Sequence, residues 1–215
     1  MLKRIFLISM AVLIFVNAAE HSTYWHQRVS LFESLPNDKD EIIFLGNSIT
    51  DGCEWSELFH DLRIKNRGIS GDITRGVIDR LDEVLVSKPL QIFLMIGIND
   101  LARGISPDSI LTNFEIIVRQ IKTVSPETEC LIQSLLPVNP DFGKFANHVN
   151  KANEIIEVNR KLQDFCQVEN LTYIDLHSTF SIQENKLNPN FTNDGLHLTG
   201  KGYLKWKSMV ERYIQ

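Results

Sequence analysis

The chain has 215 residues, with 22 Lys and Arg against 27 Asp and Glu, a formal charge of −5, and 43% hydrophobic residues. That length sets an expectation of one domain. The acidic balance disfavours binding to polyanions, so nucleic acid is not an expected partner. The three cysteines, Cys53, Cys130 and Cys166, stand far apart without a Cys-x-x-Cys pattern. They suggest neither a zinc site nor a disulfide framework. Neither a metal nor a cofactor is expected.

Residues 1–19 read as an export signal. Lys3 and Arg4 form a positive n-region, residues 5–16 an apolar h-region, and Ala18-Ala19 a small-residue cleavage site. The apolar run is short for a bilayer span, and no stop-transfer pattern follows. The expectation is therefore a cleaved signal over 1–19 and a single exported domain over 20–215. That domain would be periplasmic or secreted, in a bacterial style, with no transmembrane segment after cleavage. An uncleaved N-terminal anchor is the alternative. The sequence does not state the oligomeric state.

A helix is expected over 24–35. The first strand follows at 42–45 and the second at 64–69. Ile73, Val77, Ile78, Leu81, Val84 and Leu85 then recur at helical spacing. The third run, 92–96, is apolar without alternation, as suits a central parallel strand buried on both faces. A helix marked by Ile110, Leu111, Phe114, Ile117, Val118 and Ile121 at helical spacing comes next. A fourth strand is expected at 131–136 and a Pro- and Asn-rich loop at 137–147. Val149, Ala152, Ile155, Ile156, Leu162 and Phe165 mark another helix, 171–174 a fifth strand, and 183–193 a second loop. A final helix is marked by Tyr203, Leu204, Met209, Val210 and Ile214, with Thr199 as its expected cap. Strand and helix alternate throughout, which argues for a doubly wound α/β sheet with right-handed crossovers.

Ligands of open parallel sheets bind outside the carboxyl ends of the strands. Ser48, in Gly46-Asn47-Ser48-Ile49-Thr50, follows the first strand, Gly71 the second and Asn99 the third. Asp194 and His197, in Asp194-Gly195-Leu196-His197-Leu198-Thr199, come after the fifth. A serine hydroxyl needs a base to become a nucleophile, and a neutral imidazole supplies one. An acid three residues before that histidine can set its carboxylate against Nδ1 and leave Nε2 free. The N–H groups of Ser48 and Gly71 and the amide of Asn99 are candidate oxyanion donors. Taken singly, Ser48 could be a helix cap, Gly71 a loop glycine and Asn99 a turn residue; their order at successive strand ends points to acyl transfer. Cys53 and Trp55 lie near the nucleophile turn and are expected to serve packing, although Trp55 could stack on a sugar.

On these motifs the chain resembles the SGNH/GDSL hydrolase family over residues 41–215. The resemblance implies a flavodoxin-like three-layer α/β/α fold with a five-stranded parallel sheet. It also implies a triad of Ser48, Asp194 and His197 and an oxyanion hole of Ser48, Gly71 and Asn99. The segments 66–74 and 194–199 look most like the branch of platelet-activating-factor acetylhydrolase catalytic subunits, whose bacterial members are often carbohydrate O-acetylesterases. Gly46-Asn47-Ser48 stands where the namesake motif has Gly-Asp-Ser; that aspartate is not a triad member, so the departure bears on substrate preference. The expected activity is hydrolysis of short-chain, chiefly acetyl, esters on a small-molecule or glycan substrate. The alternatives are a lysophospholipase or thioesterase, and a non-catalytic glycan-binding protein reusing the fold.

Overall fold

The computed structural model describes residues 21–215; the export signal read over 1–19 lies outside them. The chain runs α1 (Thr23–Ser34), β1 (Ile42–Gly46), α2 (Ser48–Asp51), α3 (Trp55–Phe59), β2 (Ile64–Gly68), α4 (Thr74–Asp79), α5 (Leu81–Leu85) and β3 (Gln91–Met95). It continues with α6 (Ile98–Ala102), α7 (Pro107–Val124), β4 (Glu129–Gln133), α8 (Ala146–Val149), α9 (Ala152–Glu169), β5 (Thr172–Ile174), α10 (His177–Phe180) and α11 (Gly200–Val210). The five strands form one parallel sheet in the order β2-β1-β3-β4-β5. This is the expected α/β architecture.

Every residue of β1 and β3 is buried, which accounts for their unbroken apolar runs. The helices α3 and α11 pack together, and Trp55 and Trp206 meet edge-on at 4.8 Å. The Trp55 ring also stacks on Phe44 of β1 at 4.1 Å. Trp55 is thus core, only 1% exposed, with its Nε1–H donated to the Thr50 carbonyl at 2.8 Å. A second helical layer joins α4, α5, α7 and α9. One of the two longest, α7, starts with Ser106 capping the Ser109 N–H and with Pro107 in its first turn. It buries Ile110, Phe114, Ile117, Val118 and Ile121 along one face.

Three local expectations need correction. The helical pattern over 73–85 is not one helix: α4 and α5 meet at Arg80, which leaves helical geometry at φ −117° and ψ 9°. The Arg80 guanidinium is fully buried, and its Nε donates to Asp72 Oδ2 at 2.9 Å. Its Nη2 donates to the carbonyls of Gly46 and Arg67 at 3.2 and 3.0 Å. A buried cation needs such partners, and they fix the break. The loop expected over 137–147 holds a 3₁₀ turn, Pro140–Phe142, and the start of α8. Thr199 holds the N-cap position of α11, yet its side chain makes no capping hydrogen bond.

The three cysteines are free and buried. Burial pushes each thiol up to about 12, Cys53 included, so none is a ready nucleophile. Among the described residues no helix is long and apolar enough to cross a membrane.

Candidate active site

The sheet order changes direction between β1 and β3, and the loops after these two strands lie at the carboxyl ends where open parallel sheets bind their ligands. Asn47 leads out of β1 and caps α2, accepting the Ile49 N–H on its side chain at 3.0 Å. Ser48 is therefore the first residue of a helical turn. Asn66 of β2 secures that turn: its amide donates to the carbonyls of Thr50, Asp51 and Cys53 at 3.1, 3.0 and 2.9 Å.

The turn after β5 delivers the partner. Ser48 Oγ lies 3.0 Å from His197 Nε2, across 149 residues of sequence. His197 Nδ1 lies 2.8 Å from Asp194 Oδ2. A carboxylate only accepts, so Nδ1 carries the proton and Nε2 is left to accept from the serine hydroxyl. The other carboxylate oxygen, Oδ1, accepts the N–H groups of Leu196 and His197 at 2.9 and 2.8 Å. Burial raises the Asp194 pKa, but these N–H donors and the imidazole outweigh it and hold the carboxyl below its ordinary range. The acid thus remains an anion wherever the imidazole can be neutral.

Gly71 sits at φ +80° in the loop after β2, with open space where a Cβ would stand. The backbone angle, not crowding, selects glycine there. Arg103 holds this loop from the end of α6, its Nη2 donating to the Gly71 carbonyl at 2.8 Å. Among the described residues, neither the Ser48 nor the Gly71 N–H finds an acceptor. Asn99, on α6 and 8% exposed, donates through Nδ2 to the Asp72 carbonyl at 2.8 Å. One hydrogen of that amide remains free. The neighbouring Asp100 is fully buried, accepts the Thr74 N–H and hydroxyl, and is pushed up by burial to about 6. It braces the loop from behind.

The structure therefore joins Ser48, His197 and Asp194 in one hydrogen-bonded series, while Gly71 and Asn99 lie in the segments after β2 and β3, linked through the Asp72 carbonyl that accepts the Asn99 amide. Two more residues enter that sequence reasoning did not find. The Phe145 ring meets the His197 imidazole edge-on at 5.0 Å while remaining 42% exposed. His148 Nε2 lies 3.0 Å from Asn99 Oδ1. Both come from the segment after β4: Phe145 falls in the Pro- and Asn-rich stretch 137–147 read as loop, and no signal marked His148.

Two recesses adjoin the constellation. A small, mainly apolar recess of about 10 Å³ is lined by Asn47, Ile49, Ile98, Leu135 and Leu196, among others. A polar recess of about 280 Å³ starts at Gly71 and is lined by His21, Ser22, Trp25, Ser70 and Arg103. A groove of about 590 Å³ between α7 and α9 shares no residue with the site. Among the described residues no cluster of three or more His, Cys, Asp or Glu is arranged to hold a metal ion.

A parallel α/β sheet with a serine, an imidazole and a carboxylate in hydrogen-bonded series at its strand ends defines a hydrolase of the acyl-transfer type. The chain belongs to the GDSL-like Lipase/Acylhydrolase family, whose model matches residues 44–205, and it is a carboxylic ester hydrolase. It is 28% identical to human platelet-activating factor acetylhydrolase IB subunit alpha2 over 188 residues, 84% of this chain and 79% of that one. A solved Streptococcus pneumoniae structure named for platelet activating factor superposes with a TM-score of 0.82 at 26% identity, covering 89% of this chain and 93% of that one. A catalytic mutant of an acetylxylan esterase from Geobacillus stearothermophilus shares the fold, with a TM-score of 0.66 at 17% identity over 83% of this chain and 96% of that one.

Proposed function

We propose that this protein is an exported serine esterase that removes short acyl groups, acetyl above all, from hydroxyls of carbohydrates. Ser48 Oγ attacks the ester carbonyl carbon while His197 Nε2 takes its proton. The carbonyl oxygen becomes the oxyanion and accepts from the Ser48 N–H, the Gly71 N–H and the free hydrogen of Asn99 Nδ2. Asp194 stabilises the imidazolium. Collapse of the tetrahedral intermediate expels the alcohol, which takes the proton from His197 and leaves an acyl-Ser48. Water, deprotonated by the same imidazole, then attacks that ester, releasing the carboxylic acid and restoring the serine.

The observation that carries the acyl preference is the small apolar cavity. Ile49, Ile98 and Leu196 line it, and each is the chain neighbour of one of Ser48, Asn99 and His197. Its volume of about 10 Å³ is close to the least room a single water needs, so it favours the smallest acyl group and excludes a long chain. The alcohol side is different in character. The polar recess beside Gly71 offers hydroxyl, imidazole and guanidinium groups, and the exposed Phe145 ring offers a face for a sugar.

The test is a panel of acetyl, butyryl and octanoyl nitrophenyl esters, with acetylated xylose and acetylated sialic acid alongside, and with Ser48→Ala as the blank. The expected result is kcat/KM highest for acetyl and higher for an acetylated sugar than for a simple acetyl ester of matched leaving-group reactivity, because sugar contacts help position the carbonyl. Octanoyl as the best substrate would replace this reading with that of a lipid esterase.

A further inference from the structure

The contact between His148 and Asn99 has a defined polarity. The Asp72 carbonyl can only accept, so the Asn99 atom 2.8 Å from it is the amide nitrogen. The amide oxygen must then face His148, whose Nε2 is 3.0 Å away. An amide oxygen also only accepts, so Nε2 carries a hydrogen and donates it. The two contacts clamp both ends of the amide. They leave a single Nδ2 hydrogen, in a fixed plane, for a third partner.

We propose that His148 is a positioning residue: by donating to Asn99 Oδ1 it locks the oxyanion amide in its catalytic orientation. The inference rests on Asn99 acting as an oxyanion donor in the esterase reading above.

Three features support it. The imidazole is half-buried, and burial together with the nearby His197 and Arg103 lowers its pKa; it therefore sits at the site as a neutral donor that adds no charge beside the catalytic base. Its segment is docked rather than loose. Val149, the next residue, is buried, and the N–H groups of His148 and Val149 both donate to the Phe145 carbonyl, at 2.7 and 3.0 Å. Phe145, three residues before, meets His197 itself. One short segment thus touches both the base and the oxyanion donor. The physical need is plain. An amide held on one side only can swing about its last torsion, which is broad for asparagine, and a donor that must be reoriented in the transition state loses the benefit of preorganisation.

The experiment is a double-mutant cycle on an acetyl ester, with melting temperature recorded for each variant. His148→Phe keeps the ring volume and removes the donor. His148→Gln keeps an N–H donor. His148→Phe is expected to lower kcat about tenfold with KM within twofold, and His148→Gln to retain most of kcat. In an Asn99→Ala background the same His148→Phe change is expected to do nothing further, because its target is gone. Should His148→Phe fail to fold, His148→Ala takes its place in the cycle. Equal losses in the Phe and Gln variants, a purely KM effect, or additivity with Asn99→Ala would each overturn the proposal. If Asn99→Ala alone leaves kcat unchanged, the oxyanion reading itself is wrong, and the two failures are told apart.

Discussion

The backbone N–H of Asn139 donates to the carbonyl of Gly195 at 2.8 Å, joining the segment after β4 to the turn that carries Asp194 and His197. Gly195 sits at φ +85°, and a Cβ there would run into the Asn139 carbonyl oxygen. The acid–base turn is therefore held by a contact that only glycine allows. Gly195→Ala combines left-handed strain with a steric clash and should destabilise the fold by more than the ~1 kcal/mol typical of a mismatched backbone substitution. It should also lower kcat, because the imbalance falls on the turn that aims the imidazole. Thermal melting and kcat measured on the same preparation check this; a variant with wild-type values for both would show that the turn does not depend on this contact.

Asn99→Ala removes one oxyanion donor. The expected loss in kcat is roughly 10²–10³-fold, with a much smaller change in KM, since the interaction strengthens only as charge develops on the oxygen. Steady-state kinetics on an acetyl ester separate the two. A change confined to KM would make Asn99 a substrate-binding residue.

The pH profile follows from the Asp194–His197 pair. Only a neutral imidazole can take the serine proton, so the rate should rise with pH through a single ionisation. Asp194 adds no second step above the ordinary carboxylate range, because its donors hold it below that range. Asp194→Asn should cut kcat strongly without unfolding the protein, as it disturbs the tautomer and aim of His197. A two-step acid limb in the wild-type kcat/KM profile would contradict this account.

Asp100 makes a separate prediction about stability. Its folded-state pKa of about 6 lies above the ordinary 3.8, so the folded protein binds the proton more tightly than the unfolded chain does. Its contribution to stability is greatest below the ordinary carboxylate pKa and falls as pH rises through 6, by roughly 3 kcal/mol at most for a two-unit shift. Asp100→Asn mimics the protonated form and lacks this term. The stability difference between variant and wild type should thus move in the variant's favour between pH 4.5 and 7.5, as read by urea unfolding. A difference that does not change with pH would remove Asp100 from the acid–base balance of the fold.

What the sequence disclosed and what it hid have physical causes. Ser48, Gly71 and Asn99 each follow a strand, and Asp194 and His197 share one short turn before α11; the chemistry of these patterns is local, which is why the sequence offered them as candidates. The strands were legible because β1 and β3 are buried on both faces. Arg80 was not: the apolar spacing of Val77, Leu81 and Val84 continues through it, and its partners Asp72, Gly46 and Arg67 assemble only in the fold. His148 and Phe145 were hidden for the same reason. The Asn99 partner of His148 is 49 positions away, and neither periodicity nor a motif links them. Thr199 shows the reverse error, a residue of the right type in the right place whose hydroxyl does not cap.

The last prediction concerns acyl length. If the cavity lined by Ile49, Ile98 and Leu196 receives the acyl group, enlarging it should admit longer chains. Leu196 is the best lever, since it is buried next to His197 and its side chain makes none of the polar contacts of the site. Leu196→Ala removes three carbons and should cost about 2–5 kcal/mol of stability, as large-to-small core changes do, so the comparison belongs well below its melting temperature. Each methylene that the enlarged cavity buries can contribute up to about 0.8 kcal/mol, close to a fourfold change in rate constant. Two further methylenes separate butyryl from acetyl, so the ratio of butyryl to acetyl kcat/KM should rise by up to about fifteenfold over wild type, mostly through better butyryl turnover. Ile98→Ala offers an independent lever on the same recess. If both variants lose activity on every ester in equal proportion, the cavity is packing alone, and the acyl group lies elsewhere at the strand ends.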